Sequence, residues 1–146
     1  LGTRQPHGIE DALPGADALS MAMQLSKFWR DIGYDWRIGR VYIPQEDLQR
    51  FGYRESDLAA GTISQSFIAL LDFEFERTTS YYDIARESVK KLASGRWAVM
   101  SALEIYRGII ASIRRNDYDV FTRRAGPGTA RKVSIALKSY WAVRKS

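Results

Sequence analysis

The chain has no cysteine, one histidine and four prolines in 146 residues. Without cysteine there are neither disulfides nor thiolate metal sites, and the redox compartment is left open. The single histidine, His7, stands in a Gly/Pro-containing opening segment, so a histidine-based metal site or Ser-His-Asp catalysis is not expected. No stretch approaches the ~20 consecutive apolar residues of a membrane span. Strand alternation, internal repeats and low-complexity linkers are missing as well. The start, Leu1-Gly2-Thr3-Arg4, lacks an initiator Met and any signal-peptide pattern, which reads as a cut or partial chain.

What is there suits at most one globular domain: 45% of residues are hydrophobic and 27% charged. The net charge of +5 is unevenly placed. Residues 107–146 carry ten Lys/Arg against two Asp, a net +8, and residues 1–106 come out at −3. This basic final third also holds Tyr118, Phe121, Tyr140 and Trp141. It has three readings: a solvated surface, a site for anionic lipid or diphosphate, or a nucleic-acid surface.

The periodicity predicts an all-α chain. Residues 2–10 read as loop. A first helix runs from near Asp11 or Pro14 to about Trp36. Gly39 turns the connector that follows, and Pro44 opens a short helix ending near Arg50, since its missing N–H costs nothing at the first helical position. Another short turn opens at Glu55 or Ser56 and ends at Gly61. Ser64 caps a long helix marked by Phe67, Leu71, Phe75, Tyr82, Ala85, Val89 and Leu92, and Gly95 breaks it. Val99, Leu103, Tyr106, Ile110 and Ile113 mark a second long helix. Gly126-Pro127-Gly128 is a stop, and a last helix spans Lys132 to about Arg144. The two long helices are expected to pack antiparallel.

The stretch Gln24–Asp35 carries the candidate chemistry. At roughly 100° per residue, Gln24, Lys27, Asp31 and Asp35 share one narrow stripe beside Leu25, Phe28, Trp29, Ile32 and Trp36. Carboxylates one turn apart can share a hard cation, and Mg²⁺ is usually held by one or two carboxylates plus substrate phosphates. The same pair is also what a solvated helix carries, with Lys27, Arg30 and Arg37 as neutralising neighbours.

The residue order goes further. Gln24-x-x-Lys27-x-x-Arg30-Asp31-x-x-x-Asp35 is followed by Gly39-Arg-Val-Tyr-Ile-Pro44, Asp47-Leu48 and Phe51-Gly52. This succession resembles the squalene/phytoene synthase family, whose second aspartate-rich motif has the form Gln-x-x-Asn-x-x-Arg-Asp-x-x-x-Asp. Tyr106 within Glu104-Ile-Tyr-Arg107 is similar to the family too. So is Asp117-Tyr-Asp-Val-Phe-Thr-Arg-Arg124, which resembles the phytoene synthase branch. The likeness runs from about Leu13 to Trp141. Two departures stand out. Nothing matches the family's first aspartate-rich motif, so residues 1–146 are expected to be the C-terminal portion of a single family domain. Lys27 stands where the family carries a metal-holding Asn. An ammonium has three donors and no acceptor, so Lys27 either holds diphosphate directly or leaves the metal site impaired.

The resemblance implies a partial isoprenoid-synthase helical fold, with the aspartate-motif helix beside the two long ones. It implies head-to-head coupling of two allylic prenyl diphosphates to a phytoene-type product, assisted by Mg²⁺. Asp31 and Asp35 would be the metal ligands and, with Tyr106, the catalytic residues. Gln24, Lys27, Arg30, Arg40 and Arg123 would hold the diphosphate. Each has a plainer alternative: Arg30 as a brace between helices, Tyr106 as a core residue, Arg123 and Arg124 as surface charge. Phe28, Trp29 and Trp36 read as core rather than cavity lining.

Three functions compete on this reading. The first is the C-terminal part of a prenyltransferase, inactive in coupling by itself. The second is a non-catalytic relative serving in binding or assembly. The third is a basic helical module for nucleic acid or anionic membrane, of which the resemblance disfavours the nucleic acid. Expected partners are prenyl diphosphates and, for the faces left bare, a complementary N-terminal half or a second copy. The expected location is cytoplasmic, with attachment to a membrane surface as a further option.

Overall fold

Pro14 sits in the first turn of helix α1 (Leu13–Arg30), where it deprives the helix of no hydrogen bond. The computed structural model describes residues 8 and 10–145. His7 and most of the expected opening loop lie outside them. The buried face of α1 is made of small residues: Gly15, Ala18, Ala22 and Ser26 recur at steps of three and four and lead to Trp29. They admit a close neighbour. A Cβ added to Gly15 would lie 2.0 Å from Ser88 Cβ on the long helix α5 (Gln65–Val89). Further along, Ser26 and Tyr82 share a 2.7 Å hydroxyl bond, and Trp29 Nε1 donates to Thr78 Oγ1 at 2.9 Å. As numbers rise on α1 they fall on α5, so the pair is antiparallel.

α5 begins at the expected cap, where Ser64 Oγ accepts from the Phe67 N–H at 3.2 Å. After Gly95, whose φ of +69° suits a residue without Cβ, the chain returns as α6 (Arg96–Arg115). Arg86 pairs with Glu104, Asp83 with Arg107 and Asp72 with Arg114. The two long helices are therefore antiparallel, as the periodicity predicts, and α1 lies against both, parallel to α6. The core they share is built on Phe67, Leu70, Leu71, Phe75, Tyr82 and Leu103, all fully buried. Helix α7 (Thr129–Arg144) folds back along α6, with Arg96 donating to the Val143 carbonyl at 3.2 Å. It starts three residues earlier than the sequence suggests, directly after Gly128.

One expectation is corrected. The first helix does not run unbroken to Trp36: α1 ends at Arg30, and α2 (Ile32–Arg37) follows a break at Asp31, whose φ and ψ are −103° and 12°. Two contacts favour the break. Arg30 turns onto the adjacent Asp31 carboxylate, and Gly33 is pressed against the backbone of residues 120–121. Short helices α3 (Gln45–Arg50) and α4 (Glu55–Ala60) complete the connector, with Pro44 as the residue just before α3 and Gly61 closing α4 at a φ of +61°. No strand occurs among the described residues.

Candidate functional site

Arg30 grips Asp31 with a two-pronged fork. Nε donates to Oδ1 and Nη2 to Oδ2, both at 2.8 Å. The carboxylate lifts Arg30 above the ordinary guanidinium value, against the opposing effect of desolvation. This planar pairing is the strong form of a charge-assisted bond. Asp35 follows one turn later, its N–H donating to the Asp31 carbonyl at 2.8 Å. Burial raises the Asp35 carboxyl above its usual range, the like charge of Asp31 adds to this, and Arg40 opposes it.

The segment after α6 brings basic groups over this break. Asp117 and Tyr118 both adopt the left-handed region, at φ 56° and 60°, where side chains are uncommon. The turn is held from several sides. Tyr118 Oη donates to Asp72 Oδ1 at 2.9 Å, and Asp119 accepts from the N–H groups of Phe121 and Thr122 and from the Thr122 hydroxyl. Val120 is buried, and Phe121 packs 5.4 Å from Phe67 between ring centres. A Cβ on Gly33 would come within 2.7 Å of Phe121 Cα and of the Val120 carbonyl, so only glycine lets this segment lie so close to α2. The run Asp117–Arg124 thereby delivers Arg123 and Arg124 to the Asp31 break.

Two adjoining recesses result. One, of about 480 Å³, is lined by Arg30, Asp31, Tyr34, Arg37, Arg123 and Arg124. The other, of about 390 Å³, has Arg30, Tyr106, Ile109, Arg124 and Lys132 among its walls. Lys27 Nζ stands 5.7 Å from the centre of the Tyr106 ring, a cation–π approach at the edge of the second recess. Below them an apolar groove of about 440 Å³ is lined by Leu13, Ala16, Leu19, Met23, Leu92 and Val99, among others. Ala16, Leu19, Met23, Lys27 and Arg30 follow one another at steps of three and four, so they share one face of α1. Val99 and Tyr106, seven apart, share one face of α6 in the same way. α1 thus lines an apolar groove, walled by Ala85, Ser88, Val89 and Val99, at its Leu13 end and a basic recess at its Arg30 end.

The candidate residues divide accordingly. Lys27, Arg30, Asp31, Tyr106 and Arg123 are gathered at the basic end. Tyr106 is a half-buried recess wall rather than core, whereas its stripe-mates Leu103, Ile110 and Ile113 are buried. Asp35 and Arg40 line a separate crevice of only about 10 Å³ with Phe28, Trp36 and Leu58. Gln24 is exposed one turn before Lys27 and lines neither basic recess. Trp29 is core, as expected, but Phe28 and Trp36 are half-buried, and Phe28 stacks on Tyr42 at 4.0 Å. Tyr34, Arg37 and Lys132 line the recesses without having been singled out as site residues. Their only signal was proximity in sequence to Asp31 and to the Gly126-Pro127-Gly128 stop. Among the described residues no three His, Cys, Asp or Glu side chains come together as a metal cluster.

The sequence profile of the squalene/phytoene synthases matches residues 1–131. The chain belongs to the squalene/phytoene synthase family. A 15-cis-phytoene synthase from Synechococcus elongatus is 39% identical over 132 residues, covering 90% of this chain and 42% of that protein. Phytoene synthase 1, chloroplastic, of Arabidopsis thaliana is 36% identical over 132 residues, 90% of this chain and 31% of that protein. Among solved structures, a dehydrosqualene synthase in complex with ligand has a TM-score of 0.83 at 26% identity, over 90% of this chain and 47% of that one. The squalene/phytoene synthase fold is therefore present in this chain, which spans less than half the length of these relatives. No helix among the described residues is long and apolar enough to cross a membrane.

Proposed function

We propose that this chain supplies the diphosphate-binding part of a prenyltransferase that couples two allylic prenyl diphosphates head to head, giving a phytoene-type product. The observation that carries the proposal is one face of α1, which lines an apolar groove from Leu13 to Met23 and turns basic at Lys27 and Arg30 beside Tyr106. An isoprenoid tail suits the first part and a diphosphate the second. Arg123, Arg124 and Lys27 take up the charge that collects on the leaving diphosphate as its C–O bond ionises, and Tyr106 stands beside it. The apolar stretch keeps water from the allylic cation until the second substrate's double bond attacks.

The donor set suits Mg²⁺ held jointly with a ligand. Asp31 and Asp35 are one turn apart, the charge of Asp31 raises the pKa of Asp35, and among the described residues no third acid joins them to close an all-protein cage. Asp31 and Asp35 would hold the ion, and when bound it draws negative charge from the departing diphosphate. Lys27, unable to ligate metal while charged, holds phosphate oxygens directly. A complementary N-terminal half of the family domain suits the open side of the groove. A cytoplasmic location with attachment to a membrane surface belongs to the same reading, because prenyl chains are poorly soluble in water.

Calorimetric titration tests the proposal. A prenyl diphosphate is expected to bind in the presence of Mg²⁺, and Arg123→Ala with Arg124→Ala to weaken it at least about tenfold. A prenyl alcohol that binds as tightly as the diphosphate, or a double variant that binds like the parent, is the result that sinks it.

A further inference from the structure

α7 has two faces that differ in kind. Ile135, Ser139 and Val143 are buried or half-buried on the side towards α6. On the opposite side Val133, Leu137, Tyr140 and Trp141 fall within an arc of about 100° on a helical wheel. Leu137 is 57% and Trp141 58% exposed, and Trp97 of α6, 48% exposed, meets the Tyr140 ring edge-on at 6.5 Å. Beside this apolar arc Arg131, Lys138 and Lys145 form a stripe at sevenfold spacing. No Asp or Glu follows Asp119.

We infer that the outer face of α7 docks on an anionic lipid surface. This rests on the membrane attachment proposed above and names the element and the lipid charge. An interfacial helix sinks Trp and Leu to the acyl boundary and keeps Lys and Arg on the flank, where they meet lipid phosphates. Tyr140 and Trp141 carry the ring-plus-polar-tip chemistry that settles at that depth. A protein partner fits less well, because a flank of three cations with no acid after Asp119 matches a continuous anionic surface better than the mixed charges of a protein rim. A nucleic acid fits less well too, because Leu137 and Val133 at the centre of the face can neither stack on bases nor neutralise phosphate. Lys132 of the same helix lines the basic recess, so docking would hold that recess near the surface from which a prenyl substrate comes.

Co-sedimentation of the full chain with vesicles tests the inference. Vesicles of phosphatidylcholine with about 30% phosphatidylglycerol are expected to bind it, and pure phosphatidylcholine to bind it weakly. Leu137→Ser with Trp141→Ser should weaken partitioning at least about tenfold. Its helicity by circular dichroism and its pyrophosphate affinity should stay unchanged. Arg131→Gln, Lys138→Gln and Lys145→Gln together should reduce binding to the anionic vesicles only. If the parent chain ignores anionic vesicles, membrane attachment and the α7 face both fall. If it binds and neither variant matters, attachment stands and the α7 face is overturned. A serine variant that turns a dimer into a monomer would assign the face to a second copy and overturn the lipid. Retention on duplex DNA that the basic variant abolishes and the serine variant leaves intact would overturn it as well.

Discussion

Glu74 has no exposed surface, although it lies on a helix buried mainly through apolar and aromatic side chains. Its neighbour across the fold, Asp47 of α3, is buried too, and one guanidinium serves both: Arg77 Nη1 is 3.2 Å from Asp47 Oδ2 and 3.3 Å from Glu74 Oε2. Burial above all, then the hydrogen bond to Asp47, pushes Glu74 up to about 7, with Arg77 pulling the other way. The folded chain therefore keeps a proton that the unfolded chain releases near 4.5. Its contribution to stability is complete below that value and is lost as pH rises towards 7. Melting temperature is expected to fall between about pH 5 and pH 8, and Glu74→Gln to flatten the fall and melt higher at pH 8. A variant with an unchanged pH profile would count against the shared proton. Reading the sequence gave no hint of this cluster, because acids are ordinarily solvated and only α3 docking on α5 removes the water.

At the scale of elements, the parts legible in the sequence are those fixed by local chemistry. Ser64 caps α5, Gly61 and Gly95 end their turns, and the three-four steps of Phe67, Leu71 and Phe75 mark the buried face. The break at Asp31 was not legible, because it depends on a segment almost ninety residues later lying on Gly33. Apart from Trp29, the packing face of α1 was missed for a related reason. Large apolar residues drew attention to Phe28 and Trp36, while the helix in fact buries Gly15, Ala18, Ala22 and Ser26. Gly33 offers a test by sign. Gly→Ala inside an unhindered helix stabilises by about 0.5–1 kcal/mol. Here the added methyl meets backbone, so Gly33→Ala is expected to destabilise by about 1–3 kcal/mol. It should also weaken pyrophosphate binding by displacing Arg123 and Arg124. A higher melting temperature with unchanged pyrophosphate affinity would remove Gly33 from any role in seating that segment.

For the molecule as a whole, the apolar half of the groove is open along one side, with Leu13 52% exposed at its mouth. Bare apolar surface drives association. Sedimentation velocity is expected to show concentration-dependent self-association, reduced by Leu13→Lys; a monomer at every concentration would be the contrary result. The antiparallel arrangement and the charge bias towards residue 146 could be read in advance. The groove itself could not, since it forms where α1 meets residues 85–99, far along the chain. A trough walled by apolar side chains along Leu13–Met23 and by cations around Arg30 imposes a polarity on any amphiphile lying in it. Two such molecules side by side must point the same way, their anionic ends abreast, so a bond made between them joins like end to like end.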